Sequence, residues 1–93
     1  MSDVLVSSYL QNNIIDCDIF PNPTNNFINI ILQNVNNKST IQLIDLFGKV
    51  IYRNEITLNS KYKQIDVNTI QKGMYVLKIS NEKGIISKKV IKN

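Results

Sequence analysis

The chain has 93 residues, of which 43% are hydrophobic and 19% are charged. This is the composition of one small globular domain, not of a disordered segment. The formal net charge of +4 comes from scattered lysines and one arginine, and so little arginine argues against a nucleic-acid partner, because base and phosphate recognition relies on arginine. No apolar run approaches the roughly 20 residues of a membrane-spanning helix, so we expect no membrane insertion.

The residue types that most enzymes need are largely missing. Histidine is absent, which removes the usual general base near neutral pH and any Ser–His–Asp arrangement. Cys17 is the only cysteine, so neither a zinc site nor an internal disulfide can form. The three glycines are far apart, which excludes a glycine-rich phosphate loop. We therefore predict a protein that is not an enzyme and that has no cofactor and no metal.

Short segments that alternate apolar and polar residues recur along the chain, separated by polar turns. Isoleucine and valine dominate the apolar residues, which favours strands, and no segment has the 3.6-residue apolar repeat of a helix. The predicted strands cover residues 17–20, 27–32, 40–46, 49–56, 62–67, 74–80 and 85–92. This pattern predicts an all-β fold, an immunoglobulin-like antiparallel β-sandwich of about seven strands.

The first residues of the chain differ from the rest. Residues 1–16 have weak periodicity, which indicates a linker or N-terminal tail from a preceding region, with a possible short strand at residues 4–6. Residues 17–93 form the predicted β-sandwich domain. The N-terminus lacks a basic segment followed by an apolar one, so we expect any signal peptide to belong to a longer precursor. Cys17, in the first strand, is expected to be a small apolar packing residue, although an intermolecular disulfide is an alternative.

Two prolines in three residues follow the first predicted strand, in the run Phe20-Pro21-Asn22-Pro23-Thr24. Proline lacks a backbone N–H and does not fit a central strand, so the run predicts a turn. The side chains of Asn22 and Thr24 can bond to nearby backbone groups.

Three further motifs lie downstream. They are Leu43-Ile44-Asp45-Leu46-Phe47-Gly48-Lys49, Ile70-Gln71-Lys72-Gly73-Met74-Tyr75 and Ser87-Lys88-Lys89-Val90-Ile91-Lys92. The two-proline run counts as the first motif of the chain. In the second motif, residues 43–49, we expect Asp45 to accept hydrogen bonds from turn N–H groups and Gly48 to supply a positive φ. In the third we expect Gly73 to close a link and Tyr75 to place its ring in the core, with its hydroxyl at a partner or solvent.

These four motifs, in this order, resemble the type A C-terminal sorting domains of the type IX secretion system, also called the Por secretion system. The family has an aromatic-Pro-Asn-Pro-Thr opening, an apolar-Asp-x-x-Gly-basic turn, an apolar-x-x-Gly-x-Tyr step and a terminal Lys-apolar-apolar-Lys ending. The resemblance covers about residues 17–93, with no departure at the motif positions.

The resemblance implies a non-catalytic secretion signal at the end of a longer precursor from a Bacteroidota species. Its partners would be the type IX translocon, the outer-membrane shuttle and sortase components, and an N-terminal cargo domain in the same precursor. The precursor would reach the periplasm through its own signal peptide and cross the outer membrane to the cell surface or the medium. A sortase-like enzyme would then remove the sorting domain.

The first and last motifs carry the candidate recognition residues. The last strand can pair with a receptor as an edge strand, although lysines there also protect edges against aggregation and the two-proline turn also serves strand order. We expect deletion of residues 85–93 to abolish sorting. The candidate translocon-recognition residues are Pro21, Asn22, Pro23, Thr24, Lys88, Lys89, Val90, Ile91 and Lys92, and the structural motif residues are Asp45, Gly48, Gly73 and Tyr75.

Two other classes of function fit a small β-sandwich. A carbohydrate-binding module usually presents flat exposed aromatic rings. Alternation places Val50 and Tyr52 together on one face, and it gives Tyr52 and Tyr75 core positions, which leaves Tyr62 as the main exposed aromatic candidate. A structural spacer domain of a surface protein is the second alternative.

Overall fold

The structure, a computed structural model, describes residues 16–33, 38–56 and 61–93. Every predicted strand is present, and each predicted end lies within two residues of the observed one. Residues 4–6, for which the sequence indicates a short strand, lie outside the described residues. The strands are β1 Asp16–Phe20, β2 Phe27–Gln33, β3 Ser39–Ile44, β4 Val50–Ile56, β5 Tyr62–Asp66, β6 Gly73–Asn81 and β7 Gly84–Lys92.

The strands form two antiparallel sheets, which confirms the predicted sandwich. One sheet has the order β1-β2-β5 and the other has the order β4-β3-β6-β7. Alternate side chains of each strand point into the core. The buried apolar residues are Cys17, Ile28, Ile30, Leu32, Ile41, Leu43, Ile56, Ile65, Val67, Tyr75, Leu77, Ile79 and Val90. Within the described residues there is no helix long and apolar enough to cross a membrane.

Strands β3 and β4 correct one detail of the predicted alternation. The register shifts between Leu43 and Ile44, so that Leu43 lies opposite Tyr52 while Ile44 lies opposite Val50. Because of this bulge, Tyr52 packs partly against the core while Val50 is exposed. The prediction that both residues share one face is therefore wrong.

All four sequence motifs lie at one end of the sandwich, which we call the motif end. It comprises residues 21–26, 45–49, 67–73 and 89–93. The link that follows β5 is joined to the turn after β1, because Val67 N donates to Asn26 O at 2.8 Å. Ile70 also packs partly against the core at this end. The β6–β7 hairpin lies at the opposite end.

Candidate functional site

The two-proline turn contacts the outer edge of the last strand. Strand β7 is at the edge of its sheet, and alternate residues of an edge strand direct their N–H and C=O groups away from the sheet. Thr24 N donates to Ile91 O at 2.8 Å, and Asn93 N donates to Thr24 O at 2.8 Å. Thr24 thereby forms a parallel bridge with Lys92 and pairs with β7 as a one-residue strand would.

Asn22 completes this contact through its side chain. Its Nδ2 donates to Lys89 O at 2.8 Å, and its Oδ1 accepts from Ile91 N at 3.0 Å. The amide thus offers the donor and the acceptor that a neighbouring peptide group would offer. Pro21 and Pro23 flank it, both after cis peptide bonds, and neither has an N–H that needs a partner. The side chain of Asn22 therefore bonds to backbone groups that are 67 and 69 residues away in the chain. The turn pattern had instead indicated bonds to nearby backbone groups.

Thr24 anchors the turn to the body of the domain. Its side chain is 1% exposed, and its Oγ1 donates to Phe27 O at the start of β2. Its backbone bonds reach β7, in the other sheet. One buried residue therefore links the two sheets at the motif end.

The nine candidate recognition residues divide into an accessible and an inaccessible set. Thr24 and Val90 are buried, and Lys92 is only 8% exposed, because even-numbered side chains of β7 face the core. Lys88 and Ile91 are half-buried, and Lys88 Nζ lies 3.9 Å from Asp16 Oδ1. The exposed members, which a partner could contact directly, are Pro21, Asn22, Pro23 and Lys89.

The turn also changes how a receptor could pair with β7. Between Lys89 and Asn93 the outward backbone groups bond to Asn22 and Thr24. A receptor strand could add there only if it displaced the turn. Pairing of a receptor with this part of the edge, which the sequence suggested, is therefore obstructed in the folded domain.

The second motif forms a tight turn between β3 and β4. Asp45 Oδ1 accepts from Phe47 N and from Lys49 N, both at 2.9 Å, which are the bonds expected of it. The backbone closes the turn as well, because Asp45 N donates to Lys49 O at 2.9 Å and Gly48 N donates to Asp45 O at 3.1 Å. Gly48 has φ +86°, a conformation that glycine adopts without strain. These bonds also explain why β3 ends two residues earlier than predicted.

The third motif leads into β6. The ring of Tyr75 is buried and its hydroxyl donates to Gln71 O at 2.6 Å, which satisfies the polar end of the side chain. Gly73 has φ +146°, and a Cβ added there would meet nothing within 4 Å. The requirement for glycine at this position is therefore one of backbone conformation, not of space.

The second and third motifs together line an open cleft of about 400 Å³. Phe47, at the tip of the turn, is 96% exposed and stands beside the exposed Leu46. Sequence reasoning missed this cleft and named Tyr62 as the main exposed aromatic residue. Tyr62 is exposed, as predicted, but Phe47, which that prediction did not consider, is more exposed. The sequence signal for the cleft was the apolar pair Leu46-Phe47 at the tip of a turn, a position where polar residues are the rule.

Cys17 is buried in the core, as predicted. Burial raises the pKa of its thiol, the nearby carboxylates of Asp16 and Asp18 raise it further, and only Lys88 acts in the opposite direction. A thiol in this setting is not poised as a nucleophile. Across the described parts of the chain, no group of three or more potential metal-ligating side chains occurs.

Comparison with known proteins gives both a family and a fold. Residues 18–93 match the family described as "Secretion system C-terminal sorting domain". A solved DUF3244 family protein from Bacteroides vulgatus, with an immunoglobulin-like β-sandwich fold, is 20% identical with a TM-score of 0.73, over 86% of this chain and 95% of that one. No curated protein matches this chain. The family match spans all four motifs, and the chain therefore belongs to the C-terminal sorting domains of the type IX secretion system.

Proposed function

We propose that this domain directs a cargo protein across the outer membrane through the type IX translocon and has no catalytic role of its own. Membership of the sorting-domain family supports export by this system. In this proposal the domain follows the cargo in one precursor, passes through the periplasm, and is removed by a sortase-like enzyme after translocation. The cargo then remains on the cell surface or enters the medium.

The contact between the two-proline turn and the last strand carries the proposal. A translocon that accepts many cargoes needs a rigid surface that they share, and a folded domain offers one at little ordering cost. The four hydrogen bonds between residues 22–24 and residues 89–93 hold such a surface in place. We propose that the outer-membrane shuttle or sortase components contact its exposed members, which are Pro21, Asn22, Pro23 and Lys89.

The buried candidates have a supporting part in this proposal. Thr24 and Val90 are too buried for direct contact, so they act by fixing the turn and the strand. Lys92 is only 8% exposed at the motif end, and in this proposal its aliphatic part packs inside the fold, as long cationic side chains commonly do.

A reporter fusion tests the proposal directly. The whole chain is fused to the C-terminus of a periplasm-targeted fluorescent protein in a Bacteroidota host, and fluorescence at the surface and in the medium is measured. We expect export that disappears in a translocon-deficient strain. Periplasmic retention of a folded fusion, in a host that exports its own sorting-domain proteins, would instead favour a carbohydrate-binding module or a spacer.

A further inference from the structure

We infer that the cleft between the second and third motifs is a docking site for an acidic, apolar peptide segment of the export machinery. The inference rests on the proposed secretion role, and it adds a second contact surface to that of the two-proline turn.

The side chain of Phe47 is exposed at the tip of the turn, although the turn does not need it there. The turn is held by Asp45 and by backbone bonds, so its geometry requires nothing of the side chains at Leu46 and Phe47. A phenylalanine that is 96% exposed gains almost nothing from burial in the fold. Polar residues would occupy these positions at no cost to the turn. Exposed apolar side chains that stand together mark interaction sites.

Apolar side chains line the cleft beside Phe47. Ile51 and Ile70 are half-buried at the cleft and pack partly against the core. Met74 and Tyr75 line it from the start of β6. Aromatic residues and methionine are enriched in the centres of protein interfaces, and a concave apolar surface beside a protruding ring can receive an apolar side chain of a partner.

The charge at the rim of the cleft indicates the class of partner. Lys49 and Lys72 are exposed and line the cleft. The one carboxylate there, Asp45, already accepts two turn N–H groups. The rim therefore carries a net positive charge and complements an acidic segment.

The cleft also lies one strand away from the surface assigned to the two-proline turn. Met74, at the cleft, lies opposite Ile91 in the β6–β7 register. Ile91 in turn donates its N–H to Asn22 Oδ1. A single partner could therefore contact both surfaces, and its segment in the cleft would add affinity without displacing the turn from β7.

Truncation of the exposed ring is the first test, in the reporter fusion described above. We expect Phe47→Ser to lower export about five-fold or more, the size of effect typical of a central interface residue. Ile85→Ser is the matched control, because Ile85 is 61% exposed beside the opposite hairpin. We expect that control to export as the parent does. Thermal unfolding of both purified variants should match that of the parent, which separates a docking defect from misfolding.

Charge reversal tests the acidic character of the segment. Lys49→Glu with Lys72→Glu alters the rim, and Lys61→Glu with Lys83→Glu makes the same charge change on exposed lysines outside the cleft. We expect the first pair to lower export several-fold relative to the second. Equal export by the two double variants would overturn the acidic partner.

The outcomes separate this inference from the function on which it rests. Loss of export in Phe47→Ser alone, with unfolding unchanged, supports the docking site. Full export of Phe47→Ser overturns the docking site and leaves the secretion role intact. A parent fusion that stays folded in the periplasm overturns both.

Discussion

Two turns meet at the motif end, and they use their side chains in opposite ways. The turn at residues 21–24 directs Asn22 and Thr24 onto the domain itself, where they bond to β7 and to Phe27. The turn at residues 45–49 is held by Asp45 and leaves Phe47 in solvent. The polar side chains of the first turn therefore fasten the fold and hold in place the exposed face proposed as a contact surface, whereas the second turn leaves an apolar ring for contact with another molecule.

This difference bears on how motifs of a sorting domain are interpreted. A motif whose polar groups are paired inside the fold can be essential for export because the fold fails without it. Apolar side chains that a motif leaves in solvent can be essential for export only through a partner. Measuring both the stability and the export of each variant distinguishes the two cases. The variants of the fastening residues are expected to change stability, as follows.

The largest effect is expected from deletion of residues 85–93. The deletion removes the buried Val90 and nearly all of β7, which is one of the two strands paired with β6, so that one edge of β6 would be open. A domain of this size has only about 5–10 kcal/mol of stability, and we expect the loss to exceed it. Circular dichroism on heating should show no cooperative transition.

This expectation changes the value of the deletion as a test of sorting. Loss of export by a chain that does not fold would not show that β7 is recognised. A truncated chain that unfolded cooperatively and still failed to be exported would contradict the prediction and point to recognition of the strand itself.

The next effect concerns the fastening of the first turn. Thr24→Val keeps the shape of the buried side chain but removes the hydroxyl donor of a part-buried hydrogen bond to Phe27 O. We expect a loss of about 1–3 kcal/mol in the free energy of unfolding, measured by urea denaturation. Thr69→Val, at an exposed position, is the control and should change little. A Thr24→Val domain as stable as the parent would mean that the turn is not fastened through this residue.

The strands of this fold were predictable because their signals are local. Alternation along β6, with Tyr75, Leu77 and Ile79 on one face, appears directly in the sequence. Gly48 likewise marks the turn between β3 and β4. The bulge at Leu43 and Ile44 was not predictable, since one inserted residue leaves no clear compositional mark.

The candidate site was predictable in its parts but not in its assembly. The motifs named the two-proline turn and the last strand separately. Their contact depends on hydrogen bonds between residues 67 and 69 positions apart, and no local pattern encodes such a pairing. The burial of Lys92 follows from the parity of β7 relative to the core, which becomes certain only when the register is known.

The smallest effect is expected at the second turn, where a matched pair of variants isolates one oxygen atom. Asp45→Ala removes the acceptor of two N–H groups, and we expect it to cost about 1–2 kcal/mol, because both groups are exposed enough to bond to water instead. Asp45→Asn keeps an oxygen in place and should lose about half of that or less. In a domain of this length 1 kcal/mol shifts Tm by about 4–8 °C, so thermal unfolding resolves the two variants. Phe47→Ser should leave Tm unchanged in the same experiment, since its ring contacts solvent. If it lowered Tm as much as Asp45→Ala, the ring would belong to the fold, and the contrast between the two turns would be lost.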